Sequence, residues 1–241
     1  MKRLAFIITI LAALTASAFG QTAQEFLTRG VGFYKNKQYT EAIANFDKAI
    51  QLAPRSTEAW YNRGQAYYFS GNPERAIYDY TQALTLKPDN RDAIFQRGLA
   101  YNKTGKQDLA IADYTRGIAL TPYDSQFYYN RGIAYAAKQD DVSALSDYNK
   151  AISLSPNYVK AFVNRSGVHF RRKAHELALA DINKALQLDP SYVEAWGNRG
   201  TIYNTQNLPD LAIPDFNKAI SLDPNYAKGY LDRGISYNKK K

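Results

Sequence analysis

The side chains able to do acid–base or covalent chemistry are few in this sequence, and nothing around them organises them into a site. His169 and His175 are the only imidazoles in 241 residues, and cysteine is absent. A histidine acting as base or metal ligand needs a carboxylate or a second ligand at matched spacing, and neither a carboxylate-rich cluster nor a glycine-rich phosphate loop stands near either one. The absence of cysteine removes thiol nucleophiles, Cys-type zinc sites and disulfides together. Asp140-Asp141 precede a helical pattern, where carboxylates satisfy free amides and suit the helix dipole. No catalytic residue, metal site or small-molecule cofactor is expected.

The residues that do recur are suited to non-covalent recognition. Tyr61, Phe95 and Tyr129 stand 34 residues apart, with Tyr68 and Phe69 nearby. Beside them run Asn62, Asn130, Asn164 and Asn198, a series interrupted by Gln96 and ended by Asp232. An amide side chain offers both donor and acceptor, so such a series can hydrogen-bond a peptide backbone, while aromatic faces hold its side chains. A basic corner, Arg171-Arg172-Lys173, raises the alternative of an anionic polymer, either nucleic acid or an envelope polysaccharide, which would bind with steep salt dependence.

These residues sit on elements that the spacing defines. Windows of 34 residues cover 23–56, 57–90, 91–124, 125–158, 159–192 and 193–226, followed by a half window at 227–241. Numbering each window from its first residue, place four carries Phe26, Trp60, Ile94, Tyr128, Phe162, Trp196 and Tyr230; place eight is glycine except at Ser166; place eleven is aromatic except at His169. Places four, eight and eleven lie on one stripe of a helix. Later in each window, place twenty is always alanine, place twenty-four is bulky (Phe46, Tyr80, Tyr114, Tyr148, Ile182, Phe216), and place twenty-seven is alanine or glycine. That is a second helix, which a proline then ends. The fifth window departs most, which suggests a looser or bent hairpin, and Pro214 is expected to kink the second helix of the sixth.

Aromatic, glycine, aromatic, alanine, aromatic, alanine and proline at this spacing, six times in phase, resembles the tetratricopeptide repeat. The resemblance covers residues 23–241 and implies an all-α fold, a right-handed α-solenoid (superhelix) of antiparallel helix pairs. It also implies that places two, five, six, nine, twelve and thirteen of the first helices line a concave groove that binds a protein or peptide segment. The site expected from these residues is Tyr61, Asn62, Tyr68, Phe95, Tyr129, Asn130, Asn164 and Asn198. The amides are similar to the asparagine ladder of superhelical repeat arms that hold extended peptides. The basic clamp that some co-chaperones of the family use for a carboxylate is not expected, because place five holds no basic residue. Inter-repeat packing is the competing role for the aromatics, and fold-building for the asparagines. The half window is expected to be a closing helix with polar residues facing water.

Place seven is arginine in all seven windows, and place twenty-three is aspartate in windows two to six. Because Arg233 persists where no second helix follows, each aspartate is expected to pair with the arginine of the next repeat: Asp79 with Arg97, Asp113 with Arg131, Asp215 with Arg233.

Residues 1–20 differ from everything after them. Met1-Lys2-Arg3 is basic, Leu4 to Leu14 is an apolar run, and Thr15 to Gly20 is rich in small residues, the pattern of a secretory signal peptide. An 11-residue run rises about 16 Å as a helix, half a bilayer core, so a cleaved signal fits better than a membrane span. The array would then occupy 21–241 and be an exported, soluble, periplasmic or secreted protein with no membrane span. Without its signal it carries 29 Lys+Arg against 22 Asp+Glu, a balance of +7. Most of the arginine is accounted for at place seven, so a protein partner is favoured over nucleic acid or another polymer.

Overall fold

The computed structural model describes residues 22–240, and among them every regular element is an α-helix. Residues 1–20, expected to be a signal peptide, lie outside the described residues. Helix α1 spans 22–35, and α2 Tyr39–Leu52 completes the first hairpin. Then follow α3 Thr57–Phe69, α4 Pro73–Leu86, α5 Arg91–Lys103 and α6 Gln107–Leu120. The remaining helices are α7 Ser125–Ala137, α8 Asp141–Leu154, α9 Val159–Arg171, α10 His175–Leu188, α11 Val193–Thr205, α12 Pro209–Leu222 and α13 Ala227–Lys239. The chain divides into two compact units, one through Pro122 and one from Tyr123.

Each hairpin turns by the same local device. The residue at place fifteen is left-handed in all six repeats: Lys37, Gly71, Gly105, Gln139, Lys173 and Asn207, with φ between 59° and 86°. That conformation lets the next amide reach back to the place-eleven carbonyl, as in Asn72 N–H to Tyr67 at 2.8 Å and Ala174 N–H to His169 at 2.9 Å. Only Gly71 and Gly105 adopt it without a side-chain penalty. First helices start on side-chain caps in α3, α5 and α7, where Ser56, Asn90 and Asp124 accept from backbone amides. Asp140 caps α8 through Ser143 N–H, as expected of that aspartate pair.

The core is the stripe read from the sequence. All six place-twenty alanines are fully buried, and the bulky place-twenty-four residues are buried with them. The place-eight glycines owe their identity to those rings: a Cβ on Gly98 would lie 2.5 Å from the Tyr114 ring, and one on Gly200 2.8 Å from Phe216. The fifth repeat has the sizes exchanged, with Ser166 and the smaller Ile182 both buried, and its helices keep the lengths of the others. Helix α12 runs through Pro214 without interruption.

The arginine pairing corrects the sequence expectation. Arg63 holds Asp79 through Nε and Nη2 at 2.8 and 2.7 Å, and Arg97, Arg131, Arg165 and Arg199 hold Asp113, Asp147, Asp181 and Asp215 in the same bidentate way. Every pair joins the two helices of one repeat. The remaining Nη1 reaches the preceding repeat at place twenty-five instead: Arg63 to Asp47, Arg97 to Thr81, Arg199 to Asn183, and Arg233 to Asn217 at 2.7 Å. Arg233 is therefore held from the repeat before it, but not by Asp215. Aromatic rings cover the guanidiniums, at place four for Arg63, 4.7 Å from the Trp60 ring, and Arg199, 4.7 Å from Trp196, and at place eleven for Arg97, 5.7 Å from Tyr101.

Helix α13 exposes Lys228, Asn238 and Lys239 to water, as expected, and with them Tyr230, Leu231, Ile235 and Tyr237.

Candidate functional site

In the first unit, three of the expected aromatics lie half-buried on the first helices α3 and α5. Tyr61 packs its ring 5.9 Å from that of Tyr80, accepts a hydrogen bond from Gln65 Nε2 at 2.7 Å, and is pushed by burial to a pKa of about 12. Phe95 lies 6.1 Å from Tyr114, with the Arg91 guanidinium 5.5 Å from its centre. Tyr68 carries the Lys103 ammonium 4.9 Å from its ring, and burial raises its phenol as well. These rings rest on the core with one side while keeping surface on the other. Tyr34, at place twelve of the first repeat, packs its ring 5.9 Å from Tyr39 and 6.0 Å from Phe69. Asn62 is half-buried on the same helix as Tyr61. A recess of about 260 Å³ opens beside Tyr61, lined by Glu58, Lys87, Asn90 and Asp92.

In the second unit the arrangement differs. Tyr129 packs 6.1 Å from Tyr148 and 4.7 Å from Tyr158, and its hydroxyl accepts from Asn164 Nδ2 at 3.1 Å. Asn130 is turned inward, only 9% exposed, and its amide donates to Gln126 O at 2.8 Å. It stabilises its own helix and offers little to a ligand. Asn164 and Asn198 instead line one hollow of about 400 Å³, floored by Ala136, Ala137 and Gly167 and walled by Ile133 and Val163. Places five, six, nine, twelve and thirteen supply these residues. Small side chains on the first helices α7 and α9 leave the room.

Three tyrosines were missed by the sequence reading. Tyr158, Tyr192 and Tyr226 stand at place thirty-four, where the earlier repeats have the capping residues Ser56, Asn90 and Asp124. They make no side-chain cap. Tyr226 fills the space that a side chain on Gly197 would need, its hydroxyl and ring lying against the position of that absent Cβ. Rings thus return over the later first helices from a different place, and the change from Ser/Asn/Asp to Tyr down one column of the aligned windows is the signal that could have found them.

The basic corner is partly neutralised, since Arg171 donates to Asp141 Oδ1 through Nε at 3.0 Å and through Nη2. His169 lies 3.9 Å from Asp181, which already holds Arg165, and burial lowers its pKa below the ordinary value. Among the described residues, no group of three His, Cys, Asp or Glu is placed to hold a metal, and no helix is long and apolar enough to cross a membrane.

Stacked helical hairpins of fixed length with these packing columns define a helical-repeat protein. Tetratricopeptide repeat sequences match at residues 57–90 and 193–226, at 32–71 and 98–139, at 125–158 and at 143–193. The chain belongs to the tetratricopeptide repeat family and has its all-α solenoid fold. No curated protein sequence matches it. Among solved structures it is similar to the anaphase-promoting-complex hetero-tetramer Cut9–Hcn1, with 19% identity, a TM-score of 0.73, and coverage of 93% of this chain and 45% of that one. PilF of Pseudomonas aeruginosa aligns at 15% identity and a TM-score of 0.73 over 93% of this chain and 100% of its own. YrrB, described as a TPR protein with an unusual peptide-binding site, aligns at 20% identity and a TM-score of 0.59 over 78% and 97%. At these identities the likeness concerns the fold. Family and fold together support a protein-interaction scaffold.

Proposed function

We propose that this chain is an exported, non-enzymatic scaffold that holds an extended segment of another protein on the inner faces of its first helices. The observation that carries this reading is the use of groove places for half-open aromatic rings in one unit and for an amide-edged hollow in the other. In the first unit Tyr61, Tyr68 and Phe95 are the anchors and Asn62 the backbone contact. In the second, the hollow takes a side chain of the bound segment while Asn164 and Asn198 meet its backbone. Asn130 is left out because it is buried and folded back on its own helix. The peptide-binding site described for YrrB is in keeping with this use of the fold. The anionic-polymer reading loses ground because Arg171 is tied to Asp141 and five of the place-seven arginines are held by buried aspartates.

Pull-down with the processed chain from its native envelope identifies the partner, and titration then tests the surface. Tyr61→Ala and Phe95→Ala are each expected to weaken binding by about 1 to 2 kcal/mol, as anchors at interfaces do, with helicity nearly unchanged. Replacing Arg172 and Lys173 by alanine should change it by less than about 0.5 kcal/mol. A normal affinity in the aromatic variants, together with steep salt dependence and loss of binding in the basic-corner variant, would favour the anionic polymer instead.

Export has its own test. N-terminal sequencing of protein recovered from the producing cell is expected to begin at Gln21, or at Phe19 if the Ala16-Ser17-Ala18 site is used. Retention of Met1 on membrane-bound protein would overturn it.

A further inference from the structure

Glycine inside a helix lowers stability, because the unfolded chain loses more freedom there than at any other residue. At the place-eight glycines of the first four repeats and of the sixth, packing compensates, since a ring fills the space of the missing Cβ, and Gly197 gives way to Tyr226 in the same manner. Gly167 has no such reason. It stands inside α9 with nothing within 4 Å of where its Cβ would be. Place nine in the other windows holds Val31, Gln65, Leu99, Ile133, Thr201 and Ile235, so the array itself does not require a glycine there.

The room over Gly167 belongs to two hollows, both within the second unit. The larger, about 400 Å³, lies between α7 and α9. The smaller, about 120 Å³, lies between α9 and α11 against Phe170 and Ile202. Gly167 and Asn198 line both. Asn198 is half-buried, and among the described residues its side-chain amide makes no hydrogen bond, unlike those of Asn130 and Asn164. The charges at the two rims also differ. Arg171 at the larger hollow is bonded to Asp141. Lys228 at the smaller one is exposed and pairs with no carboxylate among the described residues; Asp232, one turn along α13, takes the Thr201 hydroxyl instead.

Spacing decides what chain conformation can fill both hollows. Neighbouring packed helices lie about 8–10 Å apart, and side chains seated on either side of α9 must be separated by about that much. A β-strand returns a side chain to the same face after two residues, about 6.7 Å, which is too short. A polyproline II chain returns it after three residues, about 9.3 Å. We propose that the two hollows recognise a polyproline II segment of a partner protein, with apolar side chains three residues apart and a carboxylate beside the second of them. The apolar side chains fill the hollows, Asn198 bonds the backbone between them, and Lys228 meets the carboxylate. This rests on the groove reading and narrows the bound segment to a sequence pattern.

The chain from Gln21 onward is titrated with a fluorescently labelled, proline-rich peptide that carries leucines three apart, a glutamate directly after the second and an amidated end. Saturable binding is expected, at least about tenfold tighter than for the same peptide with its leucines two apart. Gly167→Leu should weaken it at least about tenfold, as loss of an anchor pocket does. That substitution enters open space and replaces a helix-weakening residue, so helicity should hold and the melting temperature rise. Lys228→Ala should weaken binding about fivefold, the upper end for an exposed ion pair, and leave a glutamine version of the peptide unaffected. A third peptide, ending in a free carboxylate directly after the second leucine, distinguishes a chain end from a side chain as the group that Lys228 meets. Absence of binding, equal binding at the two-residue spacing, or indifference to Gly167→Leu overturns the proposal. So does a dimer of the unliganded chain that Gly167→Leu dissociates, because the hollows would then belong to a second copy. Native-partner binding that is weakened by Tyr61→Ala but normal in Gly167→Leu overturns it while the groove reading stands.

Discussion

Asp79→Ala is expected to destabilise the chain by about 3 kcal/mol, the cost of leaving one member of a buried ion pair without its partner. Asp79 is 1% exposed in its side chain and Arg63 14%. Burial outweighs the guanidinium and pushes the Asp79 carboxyl above its ordinary value, so its charge depends on Arg63. Removing the carboxylate leaves a guanidinium covered by the Trp60 and Tyr67 rings, with only Asp47 at its outer edge. Replacing both members by apolar residues of similar size should cost clearly less than either single change, because no orphan charge remains. The partner is identified by double-mutant cycles in urea denaturation. Asp79 should couple to Arg63 by more than about 1 kcal/mol and to Arg97 by less than about 0.5. Coupling to Arg97 instead would restore the cross-repeat pairing and refute the geometry described above.

That pairing shows where sequence periodicity stops being informative. A strict 34-residue period makes the fold legible, since columns of alanine, glycine and aromatic residues define helices and their faces. The same period makes the partner of each charge ambiguous, because every place-twenty-three aspartate has an equivalent arginine in its own repeat and in the next. Arg233 seemed to decide the matter, having no second helix of its own. It is in fact held by Asn217, a place-twenty-five residue whose role only the geometry reveals. Guanidinium groups have donors on two sides, and the structure uses one side within the repeat and the other between repeats.

The candidate site was legible to a similar depth. Helical phase put Tyr61, Tyr68 and Phe95 beside the packing stripe of the first helices, and they are half-buried. Phase could not say whether an amide on that face points outward or folds back on its own helix, as Asn130 does. Nor could it say that the later repeats draw their rings from place thirty-four, because those tyrosines precede the helices they cover. In α13 the phase places Tyr230 and Tyr237 on the stripe that other repeats bury, and both are exposed beside the expected polar residues.

Gly200→Ser is expected to cost about 3 kcal/mol, the upper end for forcing atoms into a filled core, and Phe216→Ile in the same chain to recover most of it. The sixth repeat places Cε1 and Cζ of Phe216 2.8 Å from the position of a Cβ on Gly200, closer than any real side chain approaches a ring. Phe216 is fully buried and cannot swing away without opening the repeat. The fifth repeat has already made the exchange, with Ser166 and Ile182 buried together in a hairpin of unchanged length. The two positions therefore behave as one packing unit, and their effects should be strongly non-additive. Phe216→Ile alone is expected to cost about 1 to 2 kcal/mol from the void beside glycine. If the two substitutions simply add in thermal or urea unfolding, the glycine column serves helix approach rather than ring accommodation, and the fifth repeat's departure needs another cause.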